Sequence, residues 1–532
     1  MTIFLQTTKI NIHNIYHKRT LAGHCSVSLF CNSIDSAEVQ TIGPLPLSRL
    51  CNPAYIFLFI VLFLSSCTSI VPKPENLQKN LSIPDSYYSK ENSSYRDSTF
   101  REPTFRESTF YSIENSRQHN NHVEKRWWES FGNNELTSLV DKALGENFSL
   151  REAWARLEQA KAVERSQKSE TLPSINFDIS VARRESGHST SSYNTLSAGP
   201  GASYEVDLWG NIKARIVEYE HKTLAARFDL EAAAMSVAAQ IANDWVELIT
   251  VREQISLVKK QVEINTMLLD LLELRFQNSM SSALDVLQQR EMVAKSRARI
   301  PPLEIRQASL LNAISLLCGR ASPKEISINT SNLNDIPSMP KMGIPVDLLS
   351  NRPDIQSAGF RLSSSQWAMF QARTDRLPSL NLTGSFLFQH TSLDAILKNG
   401  VVALASRLSG TLFDGGKNRA AVDLASAVVE ERLAAYEKTV FTAILEVENA
   451  IIAEKYRIKW VDLMKAELAA ANLALEEARN RYSNGMDTFI PVVTEQLNVQ
   501  NLQMNLLEQK AALFKDRIAL HRAIGGRWTE GK

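Results

Sequence analysis

Residue types that carry out catalysis are present in this chain, but they do not occur at catalytic spacings. The 532 residues contain no Gly-rich phosphate loop, no HExxH pair of histidines and no GxSxG nucleophile elbow. The 9 histidines are sparse. The four beyond the first quarter of the chain stand alone, and we interpret each as a surface or packing residue: His188, His221, His390 and His521. The sequence therefore argues against an enzyme, and we expect no cofactor and no metal site.

Charge and cysteine placement exclude further classes of protein. Lys and Arg number 59 against 58 Asp and Glu, a balance that argues against a nucleic-acid partner. Of the 5 cysteines, only Cys318 lies beyond residue 67. A disulfide framework or a Cys/His metal site cannot be built from one cysteine, so Cys318 is expected to be a small buried residue near a helix end.

One cysteine does have a context that supports chemistry. The apolar run Ala54–Leu64 is too short to span a bilayer, which takes roughly 20 residues, and has the length of a signal-peptide core. It ends in Leu64-Ser65-Ser66-Cys67, which resembles a lipoprotein cleavage site and predicts that Cys67 is lipidated. By analogy with lipoprotein sorting, Thr68 then points to the outer membrane. A buried strand that happens to precede Cys67 is the structural alternative.

Two short turn segments, Gln277–Leu284 and Ser483–Ile490, place carboxylates where helices start. Ser282 or Thr488 is suited to cap the following helix, with Asp285 or Asp487 close to its positive end. Gly485 is suited to the left-handed conformation that ends a helix, and Asn278 and Ser279 replace it in the first segment.

These turns belong to a repeat in which the second half of the chain copies the first at a shift of 206 residues. Arg275-Phe276-Gln277-Asn278-Ser279-Met280 returns as Arg481-Tyr482-Ser483-Asn484-Gly485-Met486, and Leu317-Cys318-Gly319 returns as Ala523-Ile524-Gly525. Both copies have the same internal order: a helical stretch, an alternating strand pair, and two long helical stretches. The repeat predicts one structural unit present twice.

The strand pairs alternate between apolar and polar residues. Four candidates of about 8–12 residues carry this pattern, namely 174–181, 196–208, 380–389 and 402–412. Their length suits tilted strands that cross a bilayer, which need roughly 9–11 residues. Half-buried strands of a soluble sandwich have the same pattern. Four strands are too few for a sandwich beside such long helices, and an open sheet in lipid leaves unpaired edges, so closure predicts several copies.

The helical stretches lack breakers over unusual lengths. No Gly or Pro occurs from Asn211 to Ile300, and none from Lys417 to Asn484. A helix of about 65 residues would be roughly 100 Å long. Alanine-rich runs such as Leu224–Ala234 favour close packing of helix against helix. A soluble coiled coil would explain the helices, but it would leave the strands and Cys67 unexplained.

Four motifs carry a resemblance to a known family. The motifs are Trp127-Trp128-Glu129-Ser130-Phe131-Gly132, Ser203-Tyr204-Glu205-Val206-Asp207-Leu208-Trp209-Gly210, Arg352-Pro353-Asp354-Ile355 and Leu412-Phe413-Asp414-Gly415-Gly416. They resemble motifs of TolC/OprM-like outer-membrane efflux proteins, and more closely the lipoprotein branch that works with resistance-nodulation-division pumps. The match runs in order from about Trp127 to Gly525.

The resemblance implies a mixed, mainly α fold. A long-helix periplasmic α-barrel would continue into a trimeric, twelve-stranded outer-membrane β-barrel, with four strands per protomer. It also implies a homotrimer in contact with outer-membrane lipid, working with a periplasmic adaptor and an inner-membrane resistance-nodulation-division pump. The second tip would carry the periplasmic gate, with Asp487 on the axis and Arg481 and Tyr482 as latch partners. The first tip, with Asp285 and Ser282, would face the adaptor.

The expected function is therefore a passive exit duct for small molecules or drugs. Two other functions stay open at this stage: a duct for a type I polypeptide secretion system, and a lipid-anchored helical scaffold without a channel. Strand residues such as Ile175 and Leu380 distinguish the scaffold from the two ducts, because a scaffold would bury them in protein.

The expected segments are residues 1–66 as an N-terminal extension and signal peptide, 67–126 as a lipid-anchored polar tether, 127–320 as the first repeat, 321–351 as a linker, 352–526 as the second repeat and 527–532 as a tail.

Overall fold

Two helices of equal length form the frame of the protein in the computed structural model. Helix Asn211–Gln277 and helix Lys417–Ser483 each contain 67 residues and are related by the same 206-residue shift that relates the sequence repeats. The predicted lipidation site Cys67 and the apolar segment before it lie outside the described residues. The structure describes residues 83–84, 86–87, 126–185, 192–333, 335–340, 345–390 and 400–525, all within the unit Val71–Lys532.

The first repeat begins with a short 3-10 helix, Trp127–Phe131, and continues with seven regular elements. They are helices α1 (Asn134–Glu146) and α2 (Phe148–Ser169), strands β1 (Ser174–Glu185) and β2 (Ser192–Val206), and helices α3 (Asn211–Gln277), α4 (Ala283–Ala298) and α5 (Ile300–Leu317). Two 3-10 turns, Pro323–Glu325 and Pro345–Asp347, lie between this repeat and the next.

The second repeat follows the same order with one fewer helix. A single helical turn (Leu348–Asn351) leads into α6 (Pro353–Thr374), strands β3 (Ser379–His390) and β4 (Gly400–Ser409), and helices α7 (Lys417–Ser483) and α8 (Ile490–Ile524). Helix α8 corresponds to α4 and α5 together, because Arg299 interrupts the first copy.

The long helices start with matching geometry. Each N-terminal residue follows a glycine in the left-handed region, and an aspartate accepts hydrogen bonds from the first free N–H groups. Asp207 accepts from the N–H of Ile212 at 3.1 Å, and Asp414 accepts from that of Asn418 at 2.9 Å. In the described part of the chain, we find no helix that is both apolar enough and long enough to cross a membrane.

The four strands form one antiparallel sheet in the order β1-β2-β3-β4. Ser174 lies opposite Ser203, Val206 opposite Leu380, and Ser379 opposite Ser409. Strands β1 and β4 therefore form the two edges. Apolar side chains on these edges are largely exposed to solvent in the protomer, at 74% for Ile175, 67% for Phe177, 85% for Leu404 and 65% for Leu408.

The four predicted strand positions are confirmed, but several of the predicted bounds are wrong. Strand β1 continues to Glu185, four residues past its predicted end at Val181. Strand β2 begins at Ser192, four residues before the predicted start, because β1 pairs with it as far as Ser192. Strand β4 is Gly400–Ser409 and does not continue to Leu412 as predicted. The register with β3 ends at the pair of Ser379 and Ser409, so residues 410–412 have no partner strand within the protomer.

Aromatic packing explains the Trp127-Trp128 motif. Both tryptophans are buried, and Trp127 stacks on the imidazole of His521 in α8 at 5.4 Å between ring centroids. Burial and the nearby charge of Arg517 lower the pKa of His521 to about 4, so the ring is neutral at pH 7. His521 is thus a packing residue. Cys318 is also buried, at the end of α5, as predicted.

A segment predicted to be a flexible tether contains one firmly packed residue. Tyr87 has 1% of its surface exposed and belongs to the same apolar cluster as Ile355, Leu362 and Val440. Burial raises the pKa of its phenol well above the usual value. The polar composition of residues 67–126 concealed this contact, because one aromatic ring among many Ser and Asn residues leaves no periodic pattern.

Two buried arginines tie elements of the second repeat to one another, and one of them also holds the linker before that repeat. Arg517 of α8 pairs with Glu454 of α7, where both side chains are at most 3% exposed, and donates to the carbonyl of Ser338 at 2.7 Å. Arg352 pairs with Asp354 and donates to the carbonyl of Ala523 at 3.0 Å. Removing one member of such a pair leaves an uncompensated buried charge, which costs about 3–5 kcal/mol.

Gly319 and Gly525 end the last helix of each repeat at equivalent places. Gly319 has φ +70°, and a Cβ there would lie 2.4 Å from the carbonyl oxygen of Glu146. Gly525 has φ +84°, and its Cβ would lie 2.8 Å from the carbonyl oxygen of Asn351. In both repeats, therefore, the last helix lies so close to an earlier helical segment that no side chain fits.

We predict that Gly319→Ala lowers the free energy of unfolding by at least about 1–3 kcal/mol, because it adds left-handed strain and a backbone clash. Gly145→Ala is the matched control, since Gly145 lies within α1 with nothing within 4 Å of its Cβ position. That change should stabilise by up to about 1 kcal/mol through helix propensity. Thermal unfolding followed by circular dichroism measures both, and equal effects would contradict the clash.

Candidate functional site at the helix tips

The first tip joins α3 to α4 through a tight turn. Met280 N–H donates to the carbonyl of Arg275 at 2.8 Å, and Ser279 takes φ 60°, the only left-handed non-glycine residue in the described chain. Ser282 then caps α4 as predicted. Its hydroxyl accepts from the N–H of Asp285, and the carboxylate of Asp285 accepts from the N–H of Ser282, each at 3.1 Å.

The second tip repeats the turn but starts the next helix differently. Met486 N–H donates to the carbonyl of Arg481 at 2.9 Å, and Gly485 takes φ 69°. The prediction that Thr488 caps α8 is wrong. The helix begins one residue later, after Phe489, whose apolar side chain is buried and makes no capping bond. Burial of this ring outweighs the hydrogen bond that a Thr488 cap would have made.

Three predicted gate residues lie together at the second tip. Arg481 Nε and Asp487 Oδ2 are 3.4 Å apart, in an ion pair that is open to solvent. Such exposed pairs contribute about 0.2–1 kcal/mol and weaken with salt. Asp487 also accepts a hydrogen bond from the N–H of Thr488 at 2.9 Å. Tyr482 packs on Phe489, with 5.1 Å between ring centroids.

Tyr482 also connects the two tips. The guanidinium of Arg275 lies 4.9 Å from the centroid of the Tyr482 ring, a cation–π contact between α3 and α7. The Tyr482 hydroxyl lies 3.4 Å from Ser281 Oγ, which donates to Asp285 Oδ2 at 3.0 Å. The structure therefore brings Tyr482 and Asp285 into one chain of contacts.

Sequence reasoning missed Arg275 and Ser281, although the repeat contained a signal for both. The 206-residue shift carries Arg275 onto Arg481 and Ser281 onto Asp487. Each position in the first tip is thus the counterpart of a predicted gate residue. Because Ser281 stands where Asp487 stands and the two turns have the same geometry, the turn itself does not require a carboxylate at that position.

Behind the tips, a buried row of amide side chains links α8 to the first repeat. Asn265 is completely buried, and its Nδ2 donates to Ser296 Oγ of α4 at 2.8 Å. Because buried amides cost about 1–3 kcal/mol when left unpaired, the row fixes the register of α8 against α3. It contains three bonds between α3 and α8: Gln254 Nε2 to Glu508 Oε1 at 3.2 Å, Gln261 Nε2 to Gln503 Oε1 at 3.0 Å, and Gln500 Nε2 to Asn265 Oδ1 at 3.2 Å.

The tips also expose apolar side chains. More than half of the surface of each is open to solvent: Met280, Leu284 and Leu287 at the first tip, and Met486 and Ile490 at the second. Among the described residues, no group of three or more His, Cys, Asp or Glu side chains is placed to bind a metal ion. The tips therefore offer ion pairs, aromatic contacts and an apolar surface.

Comparison with known proteins places this geometry in a family. A family model described as outer membrane efflux protein matches residues 139–320 and 344–526, more than half of the chain. The pyoverdine export outer membrane protein OpmQ of Pseudomonas aeruginosa is 29% identical over 424 residues, covering 77% of this chain and 88% of that protein. The solvent efflux pump outer membrane protein SrpC of Pseudomonas putida is 27% identical over 413 residues, covering 75% and 87%.

The fold agrees with these matches. The outer membrane protein VceC of Vibrio cholerae superposes with a TM-score of 0.72 at 23% identity, over 76% of this chain and 99% of that one. The fold is that of the trimeric channels in which a helical periplasmic barrel continues into a β-barrel, with four strands per protomer. The chain thus belongs to the outer membrane efflux protein family and is the outer-membrane channel component of an efflux system.

Proposed function

We propose that three copies of this chain close into a passive exit duct for small molecules, gated at the second tip. The observation that carries the proposal is the sheet, whose two edge strands are unpaired in the protomer and expose apolar rows. Backbone groups cannot remain unpaired in lipid, so the sheet must close with other copies. Four strands from each of three protomers give a twelve-stranded barrel, a size within the known range.

The cargo we propose is small and of mixed polarity. OpmQ is named for pyoverdine export and SrpC for solvent efflux, so two relatives of similar identity are named for very different small molecules. We infer that the duct itself discriminates little and that the inner-membrane partner selects the cargo and supplies the energy. The direct test deletes the gene and measures susceptibility to solvents together with export of siderophores. Loss of polypeptide secretion alone would indicate a type I secretion duct instead.

The partners we propose are a periplasmic adaptor and a resistance-nodulation-division pump. The first tip, with Ser282 and Asp285, would face the adaptor, and the exposed Met280, Leu284 and Leu287 beside it offer an apolar contact surface. Lipidation of Cys67 would hold the chain to the membrane in addition to the barrel.

The gate we propose depends on a difference in how firmly the helices are held. The amide row fixes α8 to α3, and Leu475 of α7 is buried in the apolar cluster that contains Leu272 of α3. Beyond Leu475, the end of α7 meets the first tip through the Arg275 and Tyr482 contact and the distant Ser281 hydroxyl. Half-buried contacts of this kind are each worth about 0.5–2 kcal/mol. The last turns of α7, beyond Leu475, are thus the part that moves at the lowest cost, and the Arg481–Asp487 pair lies there.

We predict that the detergent-solubilised protein has the mass of a trimer and that labels on the strands report lipid. Bromolipids should quench fluorescent labels at Ile175, Phe177, Leu380 and Leu382 in proteoliposomes, because these residues would face the bilayer. A label at Asn176, which lies between Ile175 and Phe177 and on the opposite face of the sheet, should respond to a water-soluble quencher instead. A monomer whose labels are shielded from both quenchers would identify a scaffold without a channel.

We predict that Asp487→Asn raises the ion conductance of the closed channel in planar bilayers. Loss of an exposed pair worth about 0.2–1 kcal/mol changes the ratio of open to closed states by no more than about fivefold. Arg481→Gln should have the same effect, and the double variant should add little, because both changes remove one interaction.

Asp285→Asn is the matched control for this experiment, since it makes the same chemical change at the first tip and leaves an oxygen to accept from the Ser282 N–H. Its conductance should stay near that of the unchanged protein. Unchanged conductance in Asp487→Asn, or an equal increase in both variants, would remove Asp487 from the gate.

We predict that Tyr482→Leu raises the closed-state conductance more than Tyr482→Phe does. Phenylalanine keeps the ring beside Arg275 and Phe489 and loses only the hydroxyl contact, which is long at 3.4 Å. Leucine removes the cation–π contact as well, worth about 0.5–2 kcal/mol at a half-buried site. Equal conductance of the two variants would mean that the hydroxyl, and not the ring, holds the tips together.

A further inference from the structure

We propose that β4 of one copy pairs with β1 of the next in a single register that the internal repeat dictates. In this register Leu412 lies opposite Ile175 and Ser409 lies opposite Asp178. The proposal rests on the trimeric duct proposed above and adds which residues meet. Both strands present a bare edge in the protomer, so the partner each of them fits is a second copy of this chain.

The two hairpins of the protomer are equivalent in their pairing. The first pairs Ser174 with Ser203, and the second pairs Ser379 with Ser409. Every other pair in the two hairpins follows the same rule, which fixes the sum of the two shifts. The element starts fix each one: β1 starts at Ser174 and β3 at Ser379, a shift of 205, and the helices after β2 and β4 start at Asn211 and Lys417, a shift of 206. The contact of β2 with β3 inside one protomer is therefore the template for the contact of β4 with β1 between protomers.

Applying these shifts to the template gives the register. The pair of Ser203 with Thr383 becomes Ser409 with Asp178, and the pair of Ala202 with Gly384 becomes Leu408 with Ile179. The template pairing runs from Leu196 to Val206, so the contact between copies would run from Val402 to Leu412.

This register explains why β4 ends early. Strand β2 continues three residues beyond Ser203, through Tyr204, Glu205 and Val206, and these residues pair only with β3. Their counterparts are residues 410–412, whose partner strand belongs to the neighbouring copy. Leu412 is fully exposed in the protomer, which fits a residue that joins a strand only on assembly.

From Arg407 to Leu412 the side chains in this register match in polarity on both faces of the sheet, whereas Leu404 would meet Arg183 and Val402 would meet Glu185. On the apolar face, Leu408 meets Ile179, and Gly410 meets Phe177, whose ring can cover the glycine. On the polar face, Ser409 meets Asp178, and Arg407 lies one pair further along.

Arg407 is the only charged residue of β4, so the register makes it a diagonal neighbour of the oppositely charged Asp178. A slip of one residue would set polar side chains opposite apolar ones along the whole strand. A slip of two residues keeps the polarity, and only the repeat excludes it.

Disulfide cross-linking of paired cysteines in the full-length membrane protein tests the register. Ser180→Cys with Arg407→Cys probes the polar face, and the partner cysteine moves to Asp178 or Ala182 in the two controls that represent slips of two residues. Successive pairs of an antiparallel ladder alternate between a wide and a close type. Ile179→Cys with Leu408→Cys therefore probes the other type, with the partner cysteine at Phe177 or Val181 in its slipped controls, so that one of the two pairs has the closer spacing.

We expect the in-register pair of the closer type to give covalent dimers and trimers on oxidation, at least about tenfold more than its slipped controls. Slipped pairs that cross-link better than both in-register pairs would overturn the register, and so would a particle of trimer mass that none of the pairs cross-links. A monomeric particle in the same preparation would overturn the trimeric duct itself, and with it this pairing.

Discussion

Unpaired backbone at the edges of one small sheet is the constraint on which the rest of this structure depends. Four strands present two rows of free N–H and C=O groups, and lipid offers those groups no partner. Closure by identical copies satisfies every strand at once and leaves no edge. Each long helix directly follows a strand, α3 after β2 and α7 after β4, so strands joined in a ring bring the starts of these helices together.

Equivalent features in the two repeats are found along the whole chain and not only in the sheet. Helices α3 and α7 have equal length, and Gly319 and Gly525 make the same close approach in each copy. Where the copies differ, a physical reason is visible. The second repeat carries the buried Arg517–Glu454 pair, which also ties the linker carbonyl of Ser338 to α8. The charge-assisted bond from Arg517 to the Ser338 carbonyl holds the linker to a helix that is already buried.

Much of this architecture follows from local sequence. Long runs without Gly or Pro predicted the two 67-residue helices, and alternation predicted the four strands, because these signals repeat along many residues. Single contacts between distant positions were not predictable. Tyr87 docks on α6 and α7 with no pattern around it, and Phe489 displaces Thr488 from the helix start because its ring finds a buried place. Alternation predicted that β4 runs to Leu412, whereas β3 pairs with it only to Ser409, and the last three residues join the strand only in the proposed contact with a second copy. Of the tip residues, Ser282 was predictable as a cap, whereas the contact of Arg275 with Tyr482 joins positions far apart in sequence.

The repeat also separates structural from functional requirements at the tips. Both turns use the same hydrogen bonds, and a residue in the left-handed region occupies the same place in each, as Ser279 or Gly485. A feature needed for the turn must occur in both copies, as these do. A carboxylate at Asp487 occurs in one copy only, since Ser281 stands at the equivalent position and builds the same turn. The hydrogen bonds of the turn therefore do not account for the charge at Asp487, which we assign to the proposed gate. Its neighbour Arg481 does not account for that charge either, because Arg275 is present at the equivalent place without an acidic partner beside it in the turn. In the proposed gate, the last turns of α7 meet the first tip through few contacts, so a small electrostatic term at Asp487 can decide between two arrangements.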